Sequence, residues 1–366
     1  MNRSIVIGIT ALCMAAAARV NGPDLILKSA NSNTNTMSGD ELISVLEGNV
    51  VFVYDDAVIK SQYAQWWRSR GTVHFSKNVR VTKEKQVLTC DRLDYEKSKK
   101  QLLANGSIDF YDSKEGTRLL GDHAEYFPDT KFITLTGKPV FIHYDTAAHD
   151  TVVIHGEKMT YSDSLKLALV ERSVTISKGK LFSRCQTARY FTEGDRAQLR
   201  TKPDIKFDHD SLSGDSMDML LNKRTLRGMS VSGNSHGMYK DVSGKDTMIT
   251  NMFGDSLYMA MNDSGKVDSM WMYRNVKSSY RSAKDSLHPN EAFGKIMILA
   301  FTKKGDVDNV RVWGNAKSVY HVEEGDKGVN IATGDSIAVA FKEGKASHVM
   351  LSGSVRGYYA PENKER

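Results

Sequence analysis

The sequence predicts an all-β chain, an elongated β array built from stacked two-strand repeats. Three observations carry that expectation. Short runs such as Asn49–Tyr54, Asn78–Thr82, Ser107–Phe110 and Ser173–Ile176 alternate with period two and are bounded by Gly, Asn, Asp or Lys turns. No window holds an apolar stripe of helical spacing longer than about two turns. A small residue also recurs, at Ser61, Cys90, Gly121, Gly156, Cys185, Gly214, Gly254, Gly294 and Gly334, with spacings of 29, 31, 35, 29, 29, 40, 40 and 40 residues.

Each small residue opens a strand of fixed parity. Three and five residues later stand Ala64/Trp66, Leu93/Tyr95, Ala124/Tyr126, Met159/Tyr161, Ala188/Tyr190, Met217/Met219, Leu257/Met259, Met297/Leu299 and Ile337/Val339. Roughly 15 to 20 residues after many of these starts, a second strand opens on Gly or Asn, as at Gly106-Ser107, Gly137-Lys138-Pro139, Gly233-Asn234, Gly314-Asn315 and Gly353-Ser354. Pro139 and Pro203 sit at strand starts, where a missing ladder donor is tolerated. A unit of this size cannot bury its own apolar face, so neighbouring units must stack.

The N-terminus reads as an export signal: Arg3, an uncharged apolar run from Ile5 to Ala18, and small residues at Ala15–Ala18 for cleavage. That run is short against the ~20 residues that span a bilayer, and Leu12 before Cys13 departs from a lipoprotein cleavage site. The expected organisation is a signal peptide over 1–18, a linker over 19–40 whose polar stretch Asn31–Asp40 reads as a loop, and a β array with ~30-residue repeats over 41–213. A continuation or second segment with 40-residue repeats over 214–360 and a tail over 361–366 complete it. The periplasm is the expected compartment.

Composition removes other classes. With 40% hydrophobic residues and only 6 Pro the chain can bury enough apolar surface to fold, so a disordered polymer is excluded. The net charge of +6 is diffuse, its one local run at Lys97–Lys100 reads as a solvated turn, and no nucleic-acid partner is expected. After cleavage only Cys90 and Cys185 remain, at equivalent positions three units apart, too far to bridge if units stack in order. Both should be free thiols.

Candidate chemistry is sparse. Asp208-His209-Asp210 follows a strand but reads as turn residues that cap backbone groups. His143, His149 and His155 flank a hairpin, with His143 and His155 roughly opposite each other, and read as hairpin histidines rather than metal ligands. The sequence holds no phosphate-binding Gly loop, CxxC pair or HExxH helix. No enzyme activity, cofactor or metal is expected.

Glu47-Gly48-Asn49-Val50-Val51-Phe52-Val53, followed by strands such as Cys90-Asp91-Arg92-Leu93-Asp94-Tyr95 and Gly121-Asp122-His123-Ala124-Glu125-Tyr126, resembles the OstA-like, LptA-like family of lipopolysaccharide-transport proteins. It is also similar to the N-terminal domain of the outer-membrane translocon of that system, without a region large enough for its barrel. The resemblance is best over about 41–207. It implies an elongated antiparallel β-jelly roll (a β-taco) built from the stacked two-strand repeats, whose V-shaped trough carries acyl chains, with lipopolysaccharide or another acylated lipid as ligand, and head-to-tail pairing with other bridge proteins or with itself, membrane contact coming only through partners.

The expected lining of that trough is Val50, Phe52, Val79, Val81, Ile108, Phe110, Val140, Ile142, Val174 and Ile176, with Leu93, Ala124, Met159 and Ala188 opposite them. Arg80, Asp109 and Thr175 should face away. Met217, Met219, Met259, Met270, Met272 and Met297 suit either acyl chains or plain core. Free edges are expected near Leu42–Tyr54 and Ser347–Tyr359, unless the preceding linker or the tail folds over them. Two alternatives stand beside this reading: a structural or adhesive β-solenoid with a filled core, and a β-helical polysaccharide-active enzyme.

Overall fold

The computed structural model describes residues 25–361 apart from 146–149, 192, 223–224, 242–246, 265, 283–286, 304–306, 323–326 and 343–344. The signal peptide over 1–18 and the tail beyond Pro361 lie outside the described residues. What is described is all-β and antiparallel, in two compact units. One spans residues 25–179 and 186–194, the other 180–185 and 195–361. The change of repeat length at Gly214 falls inside the second unit, and the division itself runs through one strand.

The N-terminal unit contains β1 (Leu25–Ser29), β2 (Ser32–Ser38), β3 (Glu41–Tyr54), β4 (Ala57–Trp67), β5 (Thr72–Lys83), β6 (Gln86–Glu96), β7 (Gln101–Asp112), β8 (Thr117–Phe127), β9 (Phe132–Thr136), β10 (Val140–Asp145), β11 (Asp150–His155), β12 (Lys158–Ser162) and β13 (Leu167–Lys178). β14 (Leu181–Phe191) is shared between the units.

Long strands cross two walls and bend at a corner between them. Wall 1 holds residues 50–61, 79–90, 108–121, 140–155 and 174–178; wall 2 holds 41–47, 63–76, 92–105, 123–136 and 158–172. At two places the strand breaks at the corner, so β8 pairs with β10 on wall 1 and with β9 on wall 2.

The C-terminal unit continues with β15 (Arg196–Arg200), β16 (Asp204–Phe207), β17 (Asp210–Ser213), β18 (Ser216–Asn222), β19 (Thr225–Asp241), β20 (Met248–Met261), β21 (Val267–Ser282), β22 (Asn290–Phe301), β23 (Val307–Val322), β24 (Gly328–Lys342), β25 (Lys345–Ser352) and β26 (Arg356–Pro361). From β19 to β24 each strand pairs with the next along its length, with one interruption near the middle. Its interior is packed: Met217, Leu257, Met272 and Met297 are almost wholly shut off from solvent.

The corner has a fixed chemistry. Two successive residues take left-handed backbone angles at Gly48/Asn49, Lys77/Asn78, Gly106/Ser107, Gly137/Lys138, Arg172/Ser173, Thr201/Lys202, Gly233/Asn234, Arg274/Asn275, Gly314/Asn315 and Gly353/Ser354. That pair is a two-residue bulge that turns the strand from one wall to the other. The residue after it points inward and faces the recurring small residue: Val50 opposite Ser61, Val79 opposite Cys90, Ile108 opposite Gly121, Val276 opposite Gly294. Beside Gly156, Gly214 and Gly294 the space is filled by a valine from a neighbouring strand. A Cβ on Gly156 would stand 2.5 Å from Val170 Cγ1, and one on Gly214 or Gly294 would meet Val231 or Val312 as closely.

Two expectations fail in this region. The polar stretch Asn31–Asp40, read as a loop, contains β2, whose Ser32–Ser38 pairs with Glu41–Glu47 of β3. Both faces of β2 are exposed, so no apolar alternation marks it, and its Ser, Asn and Thr read as turn residues; Asn35 Oδ1 accepts a 2.7 Å hydrogen bond from Ser44 Oγ. In consequence Leu42–Tyr54 is not an edge, because β1 and β2 both cover it. Among the described residues β1 and β2 pair only with β3, and β25 and β26 only with β24.

Candidate functional site

The two walls of the N-terminal unit enclose an apolar interior in layers. On wall 1 a row of facing partners runs Val81, Leu88, Phe110, Leu119, Phe141, Ile154, Ile176, every one buried. Opposite, on wall 2, runs Ala64, Phe75, Leu93, Ala104, Ala124, Leu135, Met159, Val170. Where wall 2 presents the small pair Ala104 and Ala124 against Ile108, Phe110 and Leu119, a cavity of about 80 Å³ is left. One water needs only ~15 Å³ of such space, so this cavity is several times larger than a single-water void. Towards β3 the interior closes instead: Phe52 packs edge-on against Phe75 and Trp66, with ring centres 5.1 and 5.4 Å apart.

Above the apolar row on wall 1 lies one at the rim that is polar except for Val152: Lys83, Gln86, Asp112, Thr117, His143, Val152, Lys178, again each opposite the next. Period two requires this, since these positions lie two residues beyond, or before, the apolar row on the same face. Gln86 Nε2 donates to Asp112 Oδ2 at 2.8 Å, Asp112 Oδ1 caps the backbone N–H groups of Lys114 and Glu115, and Thr117 Oγ1 lies 3.4 Å from His143 Nδ1. Lys83 Nζ is 2.6 Å from Asp56 Oδ1. At the same mouth the rings of Tyr54 and Tyr95 approach to 5.3 Å, and burial, then the carboxylates of Asp129 and Asp55, push the Tyr54 hydroxyl above its ordinary range.

Of the residues expected to line the interior, Val50, Phe52, Val79, Val81, Ile108, Phe110, Val174, Ile176, Leu93, Ala124, Met159 and Ala188 are buried at the expected parity. Arg80 is exposed, and Asp109 and Thr175 are half-buried. Val140 and Ile142 are a correction: they are only half-buried, and Phe141 (2% exposed) and His143 point inward in their place. Parity is counted from the corner. Pro139 follows the left-handed pair Gly137/Lys138 and takes the inward slot that Val50, Val79, Ile108 and Val174 fill elsewhere, which shifts β10 by one.

The same shift overturns the histidine pairing. His143 faces Val152, His155 faces Val140, and His155 points outward; His149 lies outside the described residues. In the C-terminal unit Asp208 pairs with Lys180 at 2.5 Å, a hydrogen bond that lowers its pKa, and Asp210 accepts the Lys240 backbone N–H at 3.0 Å while burial raises its own. Both carboxylates serve the turn. Cys90 and Cys185 are buried and are not joined in a disulfide, as expected. Sequence reasoning missed the polar rim, although Lys83, Asp112 and Lys178 each stand two residues beyond a correctly placed inward residue.

Residues 29–167 match the family described as LptA/(LptD N-terminal domain) LPS transport protein. The OstA-like resemblance read from the sequence holds over that segment. Among solved structures, this chain is similar to the crystal structure of LptH, the LptA homologous periplasmic component of the conserved lipopolysaccharide transport device from Pseudomonas aeruginosa. The identity is 12% and the TM-score 0.27, over 29% of this chain and 76% of that one. No curated protein matches.

Proposed function

We propose that this chain is a periplasmic lipid-binding protein that takes part in lipopolysaccharide transport to, or assembly at, the outer membrane. One observation carries the reading: the segment matched by the transport family, residues 29–167, is the segment whose walls enclose the apolar cavity. Acyl chains enter between Phe110 and Leu119 on one wall and Ala104 and Ala124 on the other, where burial of apolar surface supplies ~25 cal/mol per Å². The protein acts by binding rather than by covalent chemistry. Partners, or a second copy, add strands at β2 and at β25 or β26. The export signal over 1–18 delivers it to the periplasm.

The test is direct. Full-length protein recovered from the periplasm should carry extractable acylated lipid. The double substitution Ala104→Leu with Ala124→Phe should fill the cavity, keep the fold and abolish the bound lipid. If the variant folds and carries as much lipid as the wild type, the trough is not the binding site. The runner-up, a β-solenoid with a filled core, draws on the closed interior around Phe52 and around Met217, Met272 and Met297; it expects no lipid in either protein.

A further inference from the structure

We infer that Lys83 is the head-group station of this trough, taking the phosphomonoester of an acylated lipid whose chain occupies the cavity below it. The inference rests on the lipid-binding reading and adds the group that selects for charge. Lys83 ends β5 at inward parity, two residues beyond Val81, and both line the cavity; among the described residues that line it, Lys83 is the one cation. A chain anchored there would run directly from the ammonium onto the apolar row.

The ion pair at this position is lopsided. The Lys83 side chain is 9% exposed and the Asp56 side chain 50%. A buried ammonium must keep a counter-charge, because leaving it uncompensated is strongly unfavourable. A carboxylate already half in water gives up little when it turns outward, since exposed pairs contribute only ~0–1 kcal/mol. Asp56 is therefore a replaceable counter-ion. A phosphomonoester brings more negative charge and three acceptor oxygens to the same ammonium, a stronger partner than one carboxylate. Tyr54, whose hydroxyl stays protonated through neutral pH, lines the same mouth and offers a donor.

The experiment compares two probes that differ only in the phosphate, a lysophosphatidic acid and the monoacylglycerol of the same chain, binding to full-length protein at low and high salt. The wild type should prefer the phosphorylated lipid by about tenfold, a preference that shrinks as salt rises. Lys83→Met should erase the preference, so that the two probes bind alike; Asp56 then simply faces water. Lys83→Arg should restore it, and Asp56→Asn should strengthen it by removing the competitor. Equal binding of the two probes by the wild type, or an unchanged preference in Lys83→Met, overturns the inference and leaves the trough standing. Binding of neither probe by the wild type overturns the trough and the inference together. Should Lys83→Met fail to fold, an unchanged preference in Asp56→Asn overturns the inference.

Discussion

The carboxylate of Asp255 accepts a 2.9 Å hydrogen bond from the side-chain amide of Asn275, across the corner between β20 and β21. Asp215 makes the same contact with Asn234 at 3.0 Å, and Asp91 with Ser107 at 3.2 Å. The backbone N–H of Asp215 and of Asp335 also donates to the left-handed glycine opposite, Gly233 at 2.8 Å and Gly353 at 2.9 Å. The Asp after the recurring small residue, as in Gly214-Asp215-Ser216, Gly254-Asp255-Ser256 and Gly334-Asp335-Ser336, and the left-handed pair facing it are thus two halves of one joint.

Breaking that joint should be costly. At Gly233 an added Cβ meets both a left-handed backbone and the Asp215 carboxylate, so Gly233→Ala should destabilise by ~2 kcal/mol or more. Asp215→Ala should cost ~1–2 kcal/mol through lost hydrogen bonds. Gly357, with open space around it, is the control, and its alanine variant should stay within ~0.5 kcal/mol. Urea midpoints of the three variants check this. Equal losses at Gly233 and Gly357 would contradict the corner argument.

The parity of β10 is open to a paired test. Phe141→Asp buries a carboxylate in the apolar row and should cost several kcal/mol, whereas Ile142→Asp, on the outer face, should cost roughly 1 kcal/mol. A larger thermal shift from Ile142→Asp would restore the parity read from the sequence.

That strand also shows what was and was not legible. Wherever an apolar pair followed the corner directly, as at Val50/Phe52, Val79/Val81, Ile108/Phe110 and Val174/Ile176, period two gave both parity and burial. At Val140-Phe141-Ile142 three consecutive apolar residues fit either parity, and only the backbone of Gly137/Lys138 decides between them. β2 was illegible for a different reason: an edge strand exposed on both faces carries no hydrophobic pattern, and its backbone pairing leaves no trace in composition. The rim around Lys83 was legible in principle, since the apolar parity continues into it. What could not be read is that Asp56, from the neighbouring turn, would come to lie beside it.

Cys90 should behave as an inert thiol with a pH signature. Burial, then the nearby Asp91, pushes it up to about 12, while an unfolded thiol titrates near ~8.5. The native state holds its proton where the unfolded chain releases it. Its contribution is therefore complete below pH ~8.5 and declines above, by up to ~1.4 kcal/mol per pH unit. Cys90→Ala should flatten stability between about pH 9 and 10 relative to the wild type. Alkylation of native Cys90 at pH 8.5 as fast as in urea would rule the account out.

Assembly should depend on the outermost strands. Proline at Thr34 in β2 or at Tyr358 in β26 removes a backbone donor and disfavours strand addition. Each should weaken association, read by light scattering or crosslinking, with little change in the monomer's melting. A proline at Val51 should instead unfold β3, which is paired on both sides, with Ser29 and with Lys60. If Thr34→Pro and Tyr358→Pro both assemble normally, partners do not join through these strands.

The even 40-residue spacing of Gly214, Gly254, Gly294 and Gly334 makes length an adjustable quantity in the C-terminal unit. Each rung turns at an equivalent corner, with a small residue facing the inward one, although Lys295 stands where Asp215, Asp255 and Asp335 do, so one rung keeps the register of the next. Excising residues 254–293 would splice one joint onto its equivalent without changing any residue's face, and duplicating them would lengthen the ladder by two strands. Selection can therefore act on reach by whole-rung duplication or loss, without reinventing the corner.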